Sequence, residues 1–196
     1  VSGSSIFAVG SGSVDSSVRV GGSGDRPWQI LGAISRAVMY LAALLAAGMA
    51  FFLAFIHDRA EDRWRLVPVV RIGTIVALFG AVGIVLSQAA LLTGDGAGAI
   101  TKTSVLREVL TENLGWSLAI LMIGLAAVHL STDIANEVAS HALALYGGLT
   151  VTASFVVWGH ARELTPRAVS IAADVVHVTA AALWLGGLVG LAMILT

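Results

Sequence analysis

The sequence predicts an all-α fold, an integral membrane bundle of five transmembrane helices. Of the 196 residues, 57% are hydrophobic and only 12% are charged, whereas soluble domains are about 25% charged. The mean hydropathy is +0.91. Short polar breaks separate five apolar stretches of roughly the length that spans a bilayer, at residues 37–56, 69–92, 114–130, 138–158 and 171–195. Because backbone groups in hydrocarbon must bond within the chain, and no strand-like alternation is present, each stretch predicts a helix.

The segment before the first span predicts a strand and a linker. Residues 1–10, VSGSSIFAVG, place β-branched and aromatic residues between Gly and Ser breakers, which is typical of one β-strand. Residues 11–27 are rich in Gly and Ser and predict a flexible linker. A lone strand has no partner, and the chain has neither an initiator Met nor a polar tail after the last span. We therefore expect a fragment, in which residues 1–10 end a truncated domain and residues 28–196 form a truncated transmembrane domain.

The loops give a divided prediction of orientation. Basic residues cluster after the first span, which favours a cytoplasmic location for that loop; they are Arg59, Arg63, Arg65 and Arg71. Alternation of the spans then places a second basic set outside, which the same rule disfavours; this set is Lys102, Arg107, Arg162 and Arg167.

Two loop segments predict further helical structure. SVLREVLTEN predicts a short amphipathic helix with its apolar side chains toward the membrane surface, namely Val105, Leu106, Val109 and Leu110. Farther along, Thr165 precedes Pro166, which is an N-cap residue followed by the residue best tolerated at the first helical position. The fifth span is therefore predicted to begin at Pro166.

Composition excludes several functional classes. The net charge of -1 and the lack of a basic block argue against a nucleic-acid partner. Without cysteine the chain has no disulfide, thiolate metal ligand or cysteine nucleophile. No HExxH, Walker or G-x-S-x-G motif occurs, and no nucleophile stands beside a recognisable base. We therefore predict that the chain is not an enzyme and that membrane lipid is one of its partners.

The fifth predicted span carries ionisable residues within its apolar sequence. Steps of three and four residues place six side chains on one helical stripe; they are Arg167, Ser170, Asp174, His177, Ala181 and Trp184. An aspartate at the centre of a span costs about 3 kcal/mol, and an ionisable residue inside a membrane is by default a functional hypothesis. The stripe is therefore expected to face protein or water.

A second histidine follows the preceding span. His160 ends the fourth apolar stretch, and neighbouring antiparallel helices meet at their connecting loop. His160 is therefore expected on the same side of the membrane as Asp174 and His177. Imidazole suits copper, zinc, nickel and iron, while a carboxylate serves as ligand or as the acceptor that fixes a histidine tautomer. These three residues are the predicted metal site.

A pathway for a softer ion is a further hypothesis. Met39, Gln88 and Met122 lie at a depth comparable to that of the predicted site, and thioether sulfur suits Cu(I). Trp184 on the stripe is the fourth residue of this hypothetical pathway.

Simpler structural roles stand beside these hypotheses. Asp174 and His177 would also serve as a hydrogen-bonded pair that holds helices together. His160 would also serve as a solvated histidine at the interface, and Trp184 as a packing residue.

The motifs WGHA and ADVVHVTAAALWLGGL resemble the membrane region of the copper-resistance protein D (CopD) family. Its members carry a GHA-type motif at the end of one helix and a D-x-x-H-x(6)-W-x-G-G motif in the next. VSGSSIFAVG is similar to the terminal strand of copper-resistance protein C (CopC), a small β-sandwich copper binder. The resemblance implies copper transport or copper handling across the bacterial plasma membrane, with a copper ion accepted at an extracytoplasmic mouth of His160, Asp174 and His177.

The same resemblance bears on topology and partners. It implies an extracytoplasmic N-terminus, which would decide the divided charge pattern in favour of a cytoplasmic first loop. It implies a CopC-like β-sandwich as a fused or separate partner, and it implies that the copper ligands of that domain and the later helices of CopD lie outside this sequence. The oligomeric state stays open, with a homo-oligomer among the allowed states.

Two other functions are compatible with the sequence. Multi-span bundles commonly hold b-type haem between paired histidines, and the available pairs are His129 with His141 and His160 with His177. His141 and His160 are about 28 Å apart along one helix, which places both at the ends of the span where a haem has little cover. A membrane anchor or assembly subunit, with the polar stripe serving only helix contacts, is the third alternative.

Overall fold

A computed structural model describes residues 25–56, 60–158 and 167–195, and every regular element among them is helical. The elements are α1 (Arg26–Phe55), α2 (Ala60–Thr93), a short 3-10 helix (Gly96–Thr101), α3 (Thr103–Thr111), α4 (Asn113–Ser131), α5 (Glu137–Trp158) and α6 (Arg167–Leu195). The predicted strand at residues 1–10 and nearly all of the predicted linker lie outside the described residues.

The predicted all-α membrane protein is confirmed, but the count of five spans is not. In the described part of the chain, four helices are long and apolar enough to cross a membrane, namely α1, α2, α4 and α6. α5 coincides with the fourth predicted span and is not among the four. Polar side chains are spread along its 22 residues and lower its hydropathy. They are Glu137, Ser140, His141, Thr150, Thr152 and Ser154.

Proline positions are consistent with the helix boundaries. Pro27 lies in the first turn of α1, where its missing N–H is not needed. α6 is described from Arg167, directly after the predicted start at Pro166. Pro68 lies inside α2 and removes one of its backbone hydrogen bonds.

α1 lies at the centre of the bundle and contacts α2, α4, α5 and α6. Its buried face is rich in alanine, with Ala43, Ala46 and Ala47 fully buried. Small residues let helix backbones approach closely in a membrane, where packing contacts drive association. The α4–α5 pair uses the same principle, since a Cβ placed on Gly147 would lie 2.7 Å from the Val128 nitrogen.

α6 contacts α1 through a narrow strip that we name the seam, formed by Gly48, Phe52, Ala182, Gly186 and Gly190. A Cβ on Gly48 would overlap the Ala182 carbonyl oxygen, and a Cβ on Gly186 would overlap the backbone of Gly48. A Cβ on Gly190 would lie 2.6 Å from the Phe52 ring. Only glycine allows the two backbones to come this close.

One side of α3 packs against the bundle, and the other side remains exposed. Val105 and Val109 are both 7% exposed and belong to the hydrophobic core, so these two do not face the membrane surface as predicted. Leu110 remains 49% exposed. The difference arises because α2 and α4 flank α3 and cover one side of its apolar face.

Polar contacts link three helices at one end of the bundle, which we name the arginine end. Arg71 in α2 forms an ion pair with Asp133 in the turn after α4, and its Nε donates to Thr132 Oγ1 at 3.4 Å. Arg65 Nη1 donates to the carbonyl oxygen of Met193 at 3.3 Å. The last turn of α6 therefore lies beside the first turns of α2, and the first turns of α6 lie at the opposite end.

Candidate metal site

Asp174 and His177 lie in the second and third turns of α6, one helical turn apart. Asp174 is half-buried and His177 is exposed. Gly186 and Gly190 of the seam are buried, whereas Trp184 is 70% exposed. At about 100° of rotation per residue, His177 and Trp184 lie on the side of α6 opposite the seam. The predicted stripe therefore faces away from α1.

A hydrogen bond joins α5 and α6, the two helices that flank the segment containing His160. Thr179 Oγ1 in α6 donates to Thr152 Oγ1 in α5 at 3.0 Å. Because the two helices run antiparallel, the end of α5 and the start of α6 lie at the same end of the bundle. His160 itself falls outside the described residues, so its approach to Asp174 and His177 stays a prediction.

The residues of the hypothetical pathway lie in different surroundings. Met39 is 2% exposed, and its backbone is within 3 Å of where a Cβ on Gly80 would lie. Met122 and Trp184 are 56% and 70% exposed. Gln88 is half-buried. A buried Met39 and an outward-facing Met122 do not line one common interior path, so a role for these residues in conduction stays a prediction.

A cavity of about 280 Å³ surrounds Gln88 at the end of the bundle where α6 begins. Its polar lining also includes Glu108, Glu112 and Asn113. Sequence reasoning missed these two carboxylates as neighbours of Gln88. Glu108 lies in α3 and Glu112 follows that helix with an extended backbone, so helical spacing does not pair them, and only the fold brings both beside the last turns of α2.

Within the described ranges, no group of three or more His, Asp or Glu side chains is placed to hold a metal ion. Asp174 and His177 supply two donors from α6, and a third would have to come from outside those ranges, as His160 would. An imidazole and a carboxylate are suitable donors for copper or zinc.

Comparison with known proteins gives a consistent assignment. Residues 28–166 match the family model described as copper resistance protein D-like, N-terminal domain. The matched range contains His160 and ends before α6. Copper transport protein CutJ of Bacillus subtilis (strain 168) is 27% identical over 176 residues, which cover 84% of this chain and 32% of that protein. The chain thus spans about a third of that relative's length.

No solved structure matches the chain. The family assignment therefore depends on the sequence match, which covers more than half of the chain and includes α1, α2, α4 and α5. The chain belongs to the copper resistance protein D-like family.

Proposed function

We propose that the chain moves copper across the bacterial plasma membrane and accepts the ion at a mouth formed by His160, Asp174 and His177. The observation that carries this proposal is membership of a copper resistance family. The similarity to CutJ, a copper transport protein, supports transport as the process. We propose transport and not catalysis, because the residues offer metal donors without a recognisable nucleophile and base.

The chemistry of the pair suits a transient site. His177 offers an imidazole nitrogen, and Asp174 lies one turn earlier on the same stripe. The carboxylate would either bind the ion or accept a hydrogen bond from the imidazole and so fix its tautomer. Conduction needs sites that bind an ion strongly enough to admit it and weakly enough to release it. Two or three donors meet that requirement better than a closed four-ligand cage.

The proposal includes an outward orientation for this mouth. An extracytoplasmic N-terminus would place the start of α1 outside, together with the start of α6, which lies at the same end of the bundle. A CopC-like β-sandwich before residue 11 would then deliver copper on that side through the 11–27 linker. The first turns of α2, which carry Arg63, Arg65 and Arg71, would then lie at the cytoplasmic side, as the positive-inside rule favours.

Copper accumulation in cells that express the protein tests this function. Replacing a carboxylate or imidazole at the mouth should lower accumulation about tenfold or more, the scale of loss when a ligand or its supporting partner is removed. The variants are Asp174→Asn, His177→Ala and His160→Ala. His129→Ala is the matched control, because His129 lies at the other end of α4 and should leave accumulation unchanged. Wild-type accumulation in the Asp174→Asn and His177→Ala proteins would contradict the proposal.

The haem alternative gains no support from the comparisons, since both the family and the relative are named for copper. We therefore do not propose that this protein binds haem.

A further inference from the structure

We propose a second copper site at the arginine end, formed by Glu137 and His141 of α5, through which the ion passes at the far side of the membrane. The identity of the metal rests on the proposed function. The site itself rests on a cavity and two donors that the structure places together, and it can be tested by metal binding alone.

The cavity is open at the arginine end and has a volume of about 440 Å³. Its polar lining consists of Arg63, Thr132, Asp133, Glu137, Ser140 and His141. A smaller cavity shares four of these residues and continues among small and apolar side chains, namely Ala50, Leu53, Ala54 and Ala144. The polar space therefore narrows from the surface toward the interface of α1 with α5, which is the shape expected of a mouth.

Two of the lining side chains are the best placed to bind a metal ion. Glu137 and His141 are four residues apart at the start of α5, so they share one face of the helix. His141 is half-buried, and its ring is 5.8 Å from the ring of Phe55, which limits its movement. A carboxylate oxygen and an imidazole nitrogen are donors that Cu(II) accepts.

The other polar groups of the cavity are occupied. Ser140 Oγ donates to the Ser131 carbonyl oxygen at 2.7 Å, and the Asp133 carboxylate is paired with Arg71. Thr132 Oγ1 donates to the His129 carbonyl oxygen at 2.7 Å. Glu137 and His141 thus remain as the donors for an ion.

The charges around the cavity favour weak binding. The Glu137 carboxylate attracts a cation, whereas the Arg63 guanidinium in the same wall repels it. Asp133 contributes little further attraction because Arg71 offsets its charge. A site with only two protein donors holds copper loosely, which is what a site of release or transfer requires.

The second site lies at the opposite end of the bundle from Asp174. Met193 bonds to Arg65 at the arginine end, and Asp174 lies about 28 Å before Met193 along α6 at 1.5 Å per residue. That separation approaches the thickness of the hydrocarbon core, about 30 Å. The two sites are therefore suited to opposite faces of one membrane.

Copper binding to single-histidine proteins tests the second site. The chain has five histidines and no cysteine, so a variant that keeps only His141, with the other four changed to Gln, has one imidazole. Cu(II) added to this protein in detergent micelles should give an electron paramagnetic resonance spectrum with one coordinated nitrogen. Adding Glu137→Gln should weaken binding about tenfold, the scale for loss of a supporting carboxylate.

The matched control keeps only His129, which lies at the same end but does not line the cavity. It should bind Cu(II) about tenfold more weakly than the His141 protein. Circular dichroism measures helical content in both. His141→Ala alone in the otherwise native chain, which should bind one Cu(II) ion fewer than the native chain, covers the case in which either multiple variant fails to fold.

Equal affinity in the His129-only and His141-only proteins would overturn the second site, as would a number of bound Cu(II) ions unchanged by His141→Ala. Its failure is separable from failure of the proposed function. Accumulation that falls in Asp174→Asn, with no binding at His141, would leave copper transport standing and remove only the second site.

Discussion

α1 and α6 are both long apolar helices, yet the bundle surrounds one and leaves the other open. In the most apolar stretch of α1, 61% of the residues are buried, against 17% in the corresponding stretch of α6. α1 buries alanines toward several neighbours, whereas α6 is attached through the seam and a few polar bonds. The open side of α6 is also the side that carries His177 and Trp184. The helix with the candidate ligands is thus the one least fixed by its neighbours.

Similar hydropathy in two helices does not give similar packing. Leu183, Leu188 and Leu191 of α6 are 42–50% exposed, although the most apolar stretches of α1 and α6 have similar mean hydropathy, 2.3 and 2.1. Small residues decide the difference, because contact between helices in a membrane depends on close approach and not on removal from water. In α6 the small residues that meet α1 closely are Ala182, Gly186 and Gly190 of the seam.

Breaking the seam gives the largest expected effect. Gly186→Leu should destabilise the bundle by about 3 kcal/mol, the upper part of the range for overpacking, because its side chain would overlap the backbone of Gly48. Gly187→Leu is the matched control, since a Cβ at Gly187 meets nothing within 4 Å. Thermal unfolding in detergent, followed by circular dichroism, measures both. Equal unfolding temperatures would mean that the seam does not hold α6.

The accessibility to water of the open side of α6 gives the next largest expected effect. In the natural cysteine-free background, His177→Cys should react with a water-soluble thiol reagent about tenfold faster than Val176→Cys, because the reactive thiolate is disfavoured in hydrocarbon. Val176 is 68% exposed on a different side of α6. Added copper should slow the reaction at position 177 if Asp174 still binds it. Slow reaction at both positions would place the stripe in lipid and contradict the proposed mouth.

The polar bond between α5 and α6 contributes less. Thr179→Val removes the hydrogen bond to Thr152 and should cost about 0.6 kcal/mol, the average for such bonds between membrane helices. Thr150→Val is the control, because Thr150 bonds only to the Tyr146 carbonyl of its own helix. Unfolding in mixed micelles compares the two. A cost for Thr150→Val as large as that for Thr179→Val would show that the contact between helices adds nothing.

The bond at the end of α6 gives the smallest effect. Arg65→Met removes the 3.3 Å bond to the Met193 carbonyl and should cost about 0.5 kcal/mol, the low end for a hydrogen bond. Hydrogen exchange in the last turn of α6 should become faster, while exchange near the seam stays unchanged. Arg107→Met, at an exposed position of α3, should change neither. Uniform exchange along α6 in the Arg65 variant would contradict a local role for this bond.

Much of the fold follows from the sequence, because hydropathy and chain length dictate where helices form in a membrane. All five predicted spans are helical, and α6 is described from Arg167, so its predicted start at Pro166 stays a prediction. α1 begins at Arg26, well before residue 37, because Pro27 starts a turn outside the apolar stretch. Composition alone does not establish that α5 crosses the membrane, since its serines and threonines bond to nearby carbonyls and lower its hydropathy.

The candidate site is less predictable for a physical reason. Helical periodicity places Asp174 and His177 on one stripe, but it does not determine which neighbour covers that stripe. The cavity beside Glu137 and His141 arises from the turn at Thr132 and the first turns of α2, residues far apart in sequence. The 137–141 spacing was visible in the sequence, yet it acquires meaning only when Arg63 and Ser140 complete the wall.

The close approach of Gly48 to Gly186 also limits where an ion can travel. Backbone meets backbone there without an intervening side chain, so the space between α1 and α6 at mid-depth has neither room for a copper ion nor a side-chain donor to replace its water. This contact acts as a barrier across that part of the bundle. If copper passes beside α6, as we propose, this contact leaves it only the side of the helix that faces away from α1.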